Sequence, residues 1–100
     1  MPDASVVFHR LAAREYRSAR EWYADRAAEA AENFRIAVDQ AVSRISSQRE
    51  SLPKLGPVYR FVRVRRFPYV LIFRERSPES VMVMAVAHTS RRPGYWRGRR

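Results

Sequence analysis

The chain has no cysteine, a single lysine, three glycines and no apolar run long enough to cross a bilayer. Without cysteine there is no disulfide framework and no thiolate metal site, a composition that suits a reducing compartment. Its two histidines, His9 and His88, are far apart in sequence and form no ligand cluster, so no metal and no cofactor is expected. A membrane-spanning helix needs roughly 20 apolar residues. The opening Met1-Pro2-Asp3-Ala4-Ser5 lacks the basic start of a signal peptide. These features predict a soluble cytoplasmic protein with no membrane contact. There is also no glycine-rich phosphate loop and no serine-hydrolase motif. Apolar residues make up 46% of the chain, too many for disorder, and 100 residues suffice for one domain with a modest core.

What the chain has in quantity is arginine, unevenly placed. Residues 1–50 carry eight arginines and eight acids, a net charge of zero. Residues 51–100 carry eleven arginines and Lys54 against Glu75 and Glu79, which is 12 − 2 = +10, the formal charge of the whole chain. Arginine forms planar, bidentate contacts with phosphate and carboxylate. A one-signed field in half of a small domain points to an anionic partner, either a nucleic acid or an acidic protein. A merely soluble surface would instead mix lysine with arginine and spread both evenly.

Periodicity sets the elements. Val6-Val7-Phe8 reads as a first strand ending at His9. Ala12, Tyr16, Ala19, Tyr23, Ala27 and Ala30 then recur at spacings of three and four, one face of a helix. On its other face Arg17 and Glu21 are spaced for an i,i+4 ion pair. Phe34, Ala37, Val38, Ala41, Val42 and Ile45 form a second helical face, which stops before Ser51-Leu52-Pro53. A single helix over this span would be about 60 Å long, so a turn is expected between Arg26 and Glu32. Pro53-Lys54-Leu55-Gly56-Pro57 reads as a loop. Val58–Val64, Tyr69–Glu75 and Ser80–His88 read as three strands, joined by connections short enough for an antiparallel meander. Val81–Ala87 is apolar on both faces, which predicts an inner strand with one face under the helices. The order β-α-α-β-β-β describes an α+β domain, a helical hairpin packed on a small antiparallel sheet, with a basic C-terminal segment over 88–100.

Several stretches in this order resemble the ParE/RelE superfamily of type II toxin–antitoxin toxins, the plasmid-stabilisation proteins, over nearly the whole chain. They are Phe8-His9 opening the first helix and Glu21-Trp22-Tyr23 near its end. Arg65-Arg66-Phe67-Pro68-Tyr69 leads into the middle strand, and His88-Thr89-Ser90-Arg91-Arg92-Pro93-Gly94-Tyr95-Trp96 closes the pattern. The resemblance implies a cytoplasmic growth inhibitor held in a hetero-oligomer by a cognate antitoxin. ParE-type members poison DNA gyrase, whereas RelE-type members cut mRNA on the ribosome. The likeness is closer to ParE. RelE-type nucleases often place an arginine after the tyrosine that opens the middle strand, where this chain has Tyr69-Val70, and the loop Pro53–Pro57 before the second strand offers only Lys54, not a cluster of lysines. A basic nucleic-acid-binding module without toxicity is a third reading of the same charge pattern.

An RNase would need a base, an acid and positive charge on the phosphate. His88, Arg74, Arg91 and Tyr95 are the catalytic candidates under that reading, provided they converge on one face. His88 has the better intrinsic pKa but could equally end its strand as a structural residue. His9, at a strand-to-helix junction, reads as structural. Arg60, Arg74, Arg91, Arg92, Tyr95, Trp96 and Arg97 are the candidates for binding the target. Tyr95 and Trp96 could stack on a partner, or Trp96 could fold back onto the sheet. Tyr16, Trp22, Tyr23 and Phe34 are core or antitoxin-contact positions. Pro93-Gly94 and Gly98 break regular structure, so Arg97–Arg100 is expected to carry charge but little core, and the fold to survive its removal.

Overall fold

A computed structural model describes residues 3–100; Met1 and Pro2, the first two residues of the opening discussed above, lie outside it. Strand β1 (Ser5–Phe8) leads into helix α1 (Arg10–Ala24), and helix α2 (Ala28–Gln48) follows. A short 3-10 turn (Arg49–Ser51) precedes strands β2 (Lys54–Leu55), β3 (Tyr59–Val64), β4 (Tyr69–Ser77) and β5 (Ser80–His88). The sheet order is β1-β5-β4-β3-β2. The meander β2 to β5 is antiparallel, but β1 joins β5 in parallel, so the sheet is mixed rather than purely antiparallel. The reason is the connection, since two helices carry the chain from β1 back across one face before the meander begins. Lys54-Leu55, expected as loop, forms a two-residue edge strand against Tyr59 and Arg60.

The helical hairpin turns at Asp25–Ala27, at the start of the expected stretch. His9 caps α1, its Nδ1 accepting from the Leu11 amide at 3.0 Å. The Nε2–H therefore donates to the Arg100 carbonyl at 2.8 Å. The expected Arg17–Glu21 pair is not formed; on α2, Arg35 instead bridges Glu32 and Asp39.

The helices cover one face of the sheet. Ala12 and Ala19 of α1 and Ala37, Val38, Ala41 and Ile45 of α2 pack over Val62, Val64, Leu71, Phe73, Val81, Val83 and Val86. At the centre is Phe34, fully buried and ringed by Tyr16, Tyr23, Phe67 and Tyr69 at centroid distances of 5.8, 5.2, 5.1 and 5.3 Å. Phe34 is thus core, and the antitoxin-contact role considered for it is withdrawn because it has no exposed surface.

The register of β5 shifts at Met84: Ile72 pairs with Ala85 and Phe73 with Val83, leaving Met84 as the extra residue. Such a bulge inverts the alternation, which is why Val81, Val83 and Val86 share the helical face while Ala85 and Ala87 face away. The outer face is covered too. Trp96, only 2% exposed, packs with Ile72, Ala85 and Ala87, edge-on to Tyr59 at 4.6 Å. The C-terminal segment is a lid on the sheet rather than a tail.

Because five rings meet at Phe34, we expect Phe34→Ala to destabilise the fold by about 3–5 kcal/mol. Urea unfolding checks this, and a loss below about 1 kcal/mol would mean the ring cluster is not the centre of the core.

Candidate functional site

Strand β1 ends at Phe8, opposite Val83, while β5 continues to His88. Along Met84–His88 one side of β5 therefore lacks a neighbouring strand, and its backbone groups need other partners. Glu15, on α1, supplies one: its carboxylate accepts from the Val86 amide at 3.0 Å. Arg99 supplies the other by donating to the Met84 carbonyl at 2.9 Å. The two side chains also bind each other, Arg99 Nη1 to Glu15 Oε1 and Nη2 to Oε2, both at 2.8 Å. The Tyr95 hydroxyl completes the set by donating to Glu15 Oε2 at 2.7 Å.

The energetics follow from this geometry. Burial opposes the charge on Glu15, but hydrogen bonds from Arg99, Tyr95 and Val86 outweigh it and hold the carboxyl below its ordinary value. Tyr95 is pushed strongly upward, first by burial and then by its bond to Glu15. Its phenol is a committed hydrogen-bond donor, and the upward shift runs against its serving as a base. The same contacts overturn the expectation that Arg97–Arg100 is dispensable for the fold. Arg99 is an edge cap, with a side chain only 12% exposed.

Beside this network runs a groove of about 720 Å³ between α1 and the end of β5. Leu11, Arg14, Ser18, Trp22 and Tyr23 form its helical wall, and Tyr69, Val86, His88, Arg91 and Arg99 the other. Trp22 is half exposed at its rim, with the Arg26 guanidinium stacked 3.3 Å above the indole. Tyr16 and Tyr23 are partly buried against the core, so of the four hairpin aromatics Trp22 presents the most surface.

Of the residues singled out in the sequence, His88 and Arg91 line this groove and Arg91 lies against Tyr95, while Arg60 and Arg74 sit elsewhere. His88 pairs with Tyr69 at one end of β4, and Arg74 lies five residues on, about 17 Å at the rise of a strand. His88 Nδ1 accepts from the Ser90 amide at 3.0 Å, which ties down the turn after β5. Arg60 and Arg74 line a different concavity, with Arg49, Lys54 and Glu75, and Arg60 donates to the Leu52 carbonyl at 2.7 Å. Arg91 sits over the Tyr95 ring at 4.0 Å, while Arg97 sits over Trp96 at 4.7 Å. Trp96 itself is buried and is withdrawn as a target contact. Among the described residues, no three His, Asp or Glu side chains gather to hold a metal.

Sequence reading missed Glu15 and Arg99. Neither stands in a motif, and only the early end of β1 creates the need for them. Arg49 was also missed; it is buried, paired with Glu75 at 2.7 Å, and donates to the Pro78 carbonyl.

Because the folded-state pKa of Glu15 is depressed, the unfolded chain takes up the proton first. The stabilisation it provides is complete above its ordinary 4.5 and is lost as pH falls through the lower folded value. We expect Glu15→Gln to be less stable than the parent at neutral pH, with the gap narrowing in acid. Urea titrations across that range check it; a gap independent of pH would refute the ion-pair assignment. Truncation after Trp96 removes Arg99 and should cost about 2 kcal/mol or more.

The solved structure of a chromosomal ParDE toxin–antitoxin system from P. aeruginosa superposes with a TM-score of 0.66 at 16% identity, covering 85% of this chain and 95% of that one. That likeness establishes the fold. No curated protein matches by sequence. The model of the ParE toxin of type II toxin–antitoxin systems, parDE, matches residues 6–93, from β1 through the turn that follows β5. On that match the chain belongs to the ParE toxin family and is the toxin component of a type II toxin–antitoxin system.

Proposed function

We propose that this toxin acts on DNA gyrase by binding it, and that its antitoxin neutralises it by laying an acidic segment along the groove beside α1. The observation that carries the binding mode is that the acid–base candidates His88 and Tyr95 are already engaged within the fold. His88 is engaged with the turn after β5, Tyr95 donates to Glu15, and Arg74 is at the far end of β4. General acid–base catalysis needs such groups within hydrogen-bond reach of one reacting centre. The exposed arginines Arg91, Arg92 and Arg97 instead offer charge on the surface of the lid, with Arg91 and Arg97 steadied by aromatic faces.

The groove suits an antitoxin segment for two reasons. Trp22 gives an exposed aromatic anchor, the residue type that most often dominates an interface. Arg14 and Arg91 on opposite walls favour acidic side chains between them. The family match supports a cognate antitoxin as the partner.

Purified toxin should inhibit supercoiling by gyrase, or trap cleaved DNA on it, while leaving ribosome-bound mRNA intact. Arg91→Glu combined with Arg92→Glu should weaken that inhibition tenfold or more without lowering the melting temperature, and His88→Ala should be mild. Cut mRNA that disappears with His88→Ala would establish the ribonuclease reading instead. For the groove, we expect Trp22→Ala to weaken antitoxin binding by roughly 30-fold or more, in line with a central aromatic anchor. Isothermal titration of toxin with antitoxin measures this, and unchanged affinity would move the antitoxin elsewhere.

A further inference from the structure

A second basic surface lies away from the groove, at the turn between β3 and β4. Arg63, Arg65 and Arg66 fall within four residues, and Arg44 of α2 joins them around a shared concavity with Phe67, Pro68 and Thr89. All four arginines are exposed. Among the described residues none is within ion-pair distance of a carboxylate, whereas Arg35, Arg49 and Arg99 all are. A neighbouring concavity shares Arg65 and Arg66 and adds Asn33 and Gln40. No acidic residue lines either one.

The backbone gives a second, independent sign. The Phe67 amide donates to the Val64 carbonyl at 3.1 Å, closing a four-residue turn with Arg66 at its third position. Arg66 has a φ of 71°, the sole non-glycine with a positive φ among the described residues. A turn of this kind ordinarily takes glycine or asparagine there. Strained residues of this sort persist where the surroundings impose them and often mark functional sites.

We propose that this turn binds the phosphodiester backbone of a double-helical nucleic acid. Arginine with neutral amide and hydroxyl donors, here Asn33, Gln40 and Thr89, is the usual set that contacts phosphates. A single-strand site would need exposed rings on which bases stack. The rings lining it, Phe67 and Tyr69, are turned inward, Phe67 against Tyr23 and Phe34 at 5.0 and 5.1 Å and Tyr69 against Phe34 at 5.3 Å. A protein interface would be built round apolar anchors, and one aliphatic side chain, Ile36, stands exposed at the margin. The surface is therefore suited to charge and geometry without sequence readout.

Fluorescence anisotropy of the full-length toxin tests this with a labelled duplex DNA, the matching duplex RNA, a single strand and polyglutamate. Duplex binding should weaken with salt at a logarithmic slope of about −3.6 if all four arginines meet phosphates. Arg65→Glu with Arg66→Glu should weaken it at least tenfold and reduce the slope by about 2. Arg66→Gly separates binding from folding: it relieves the positive φ, so it should melt no lower than the parent yet bind less. Arg44→Gln with Arg63→Gln, on regular elements, should lower the slope similarly. The DNA and RNA arms identify which duplex is preferred, either one supporting the proposal. No duplex binding at low salt, unchanged binding in these variants, or equal binding of single strand or polyglutamate would overturn it. Gyrase inhibition is not part of the readout, so failure here leaves the proposed target standing.

Discussion

The structure depends on how β5 is satisfied where β1 runs out. Strand β5 has nine residues and β1 four. Half of this buried inner strand would be left with backbone groups facing no partner, each costing about 1–3 kcal/mol if unmet. Glu15 and Arg99 meet the Val86 amide and the Met84 carbonyl and neutralise each other in doing so. Three distant parts of the chain are thereby joined: the first helix, the last strand and the final residues. The groove owes its walls to that junction, because Glu15 holds α1 at the strand edge and Arg99 closes the end.

The bulge at Met84 belongs to the same solution. It turns Val86 back toward the helices after Val81 and Val83, so that the helical face remains apolar along the whole strand. On the opposite face Ala85 and Ala87 are small, and the space above them admits the Trp96 indole. A sheet of this size thus has both faces covered, by helices on one side and by about eight residues of irregular chain on the other, a common need of small domains with limited core.

The arginines divide into two populations. Arg49, Arg60 and Arg99 are structural, each donating to backbone carbonyls that the fold leaves open, and two of them are paired with a carboxylate. Arg44, Arg63, Arg65, Arg66, Arg91, Arg92 and Arg97 are exposed. The excess charge is consequently not a uniform field. Much of it gathers at the β3–β4 turn and on the surface of the lid, while Lys54, Arg74 and Arg76 stand exposed elsewhere.

Much of the architecture was legible from residue order. The two helical faces and the three late strands follow from periodicity and from proline and glycine placement, which act over a few residues, whereas the hairpin turn follows only from the length a single helix would have. The doubly apolar Val81–Ala87 run marked an inner strand for the same reason, and the motifs near Phe67 and His88 carried the family resemblance. The site was much less legible. Arginine looks alike in sequence whether it caps a strand, as Arg99 does, or stands free, as Arg65 does. Trp96 and Trp22 are both aromatic residues beside arginines, yet one is core and the other rim. Local pattern determined which segments are helix or strand and which half of the chain is basic. Only the tertiary structure decided the parallel seat of β1, the partnership of Glu15 with Arg99 and the burial of the C-terminal lid. The contacts that tie α1 and the end of β1 to the far end of the chain join residues 71 to 91 positions apart, and the lid packs Trp96 on strands distant from it, none of which local periodicity encodes.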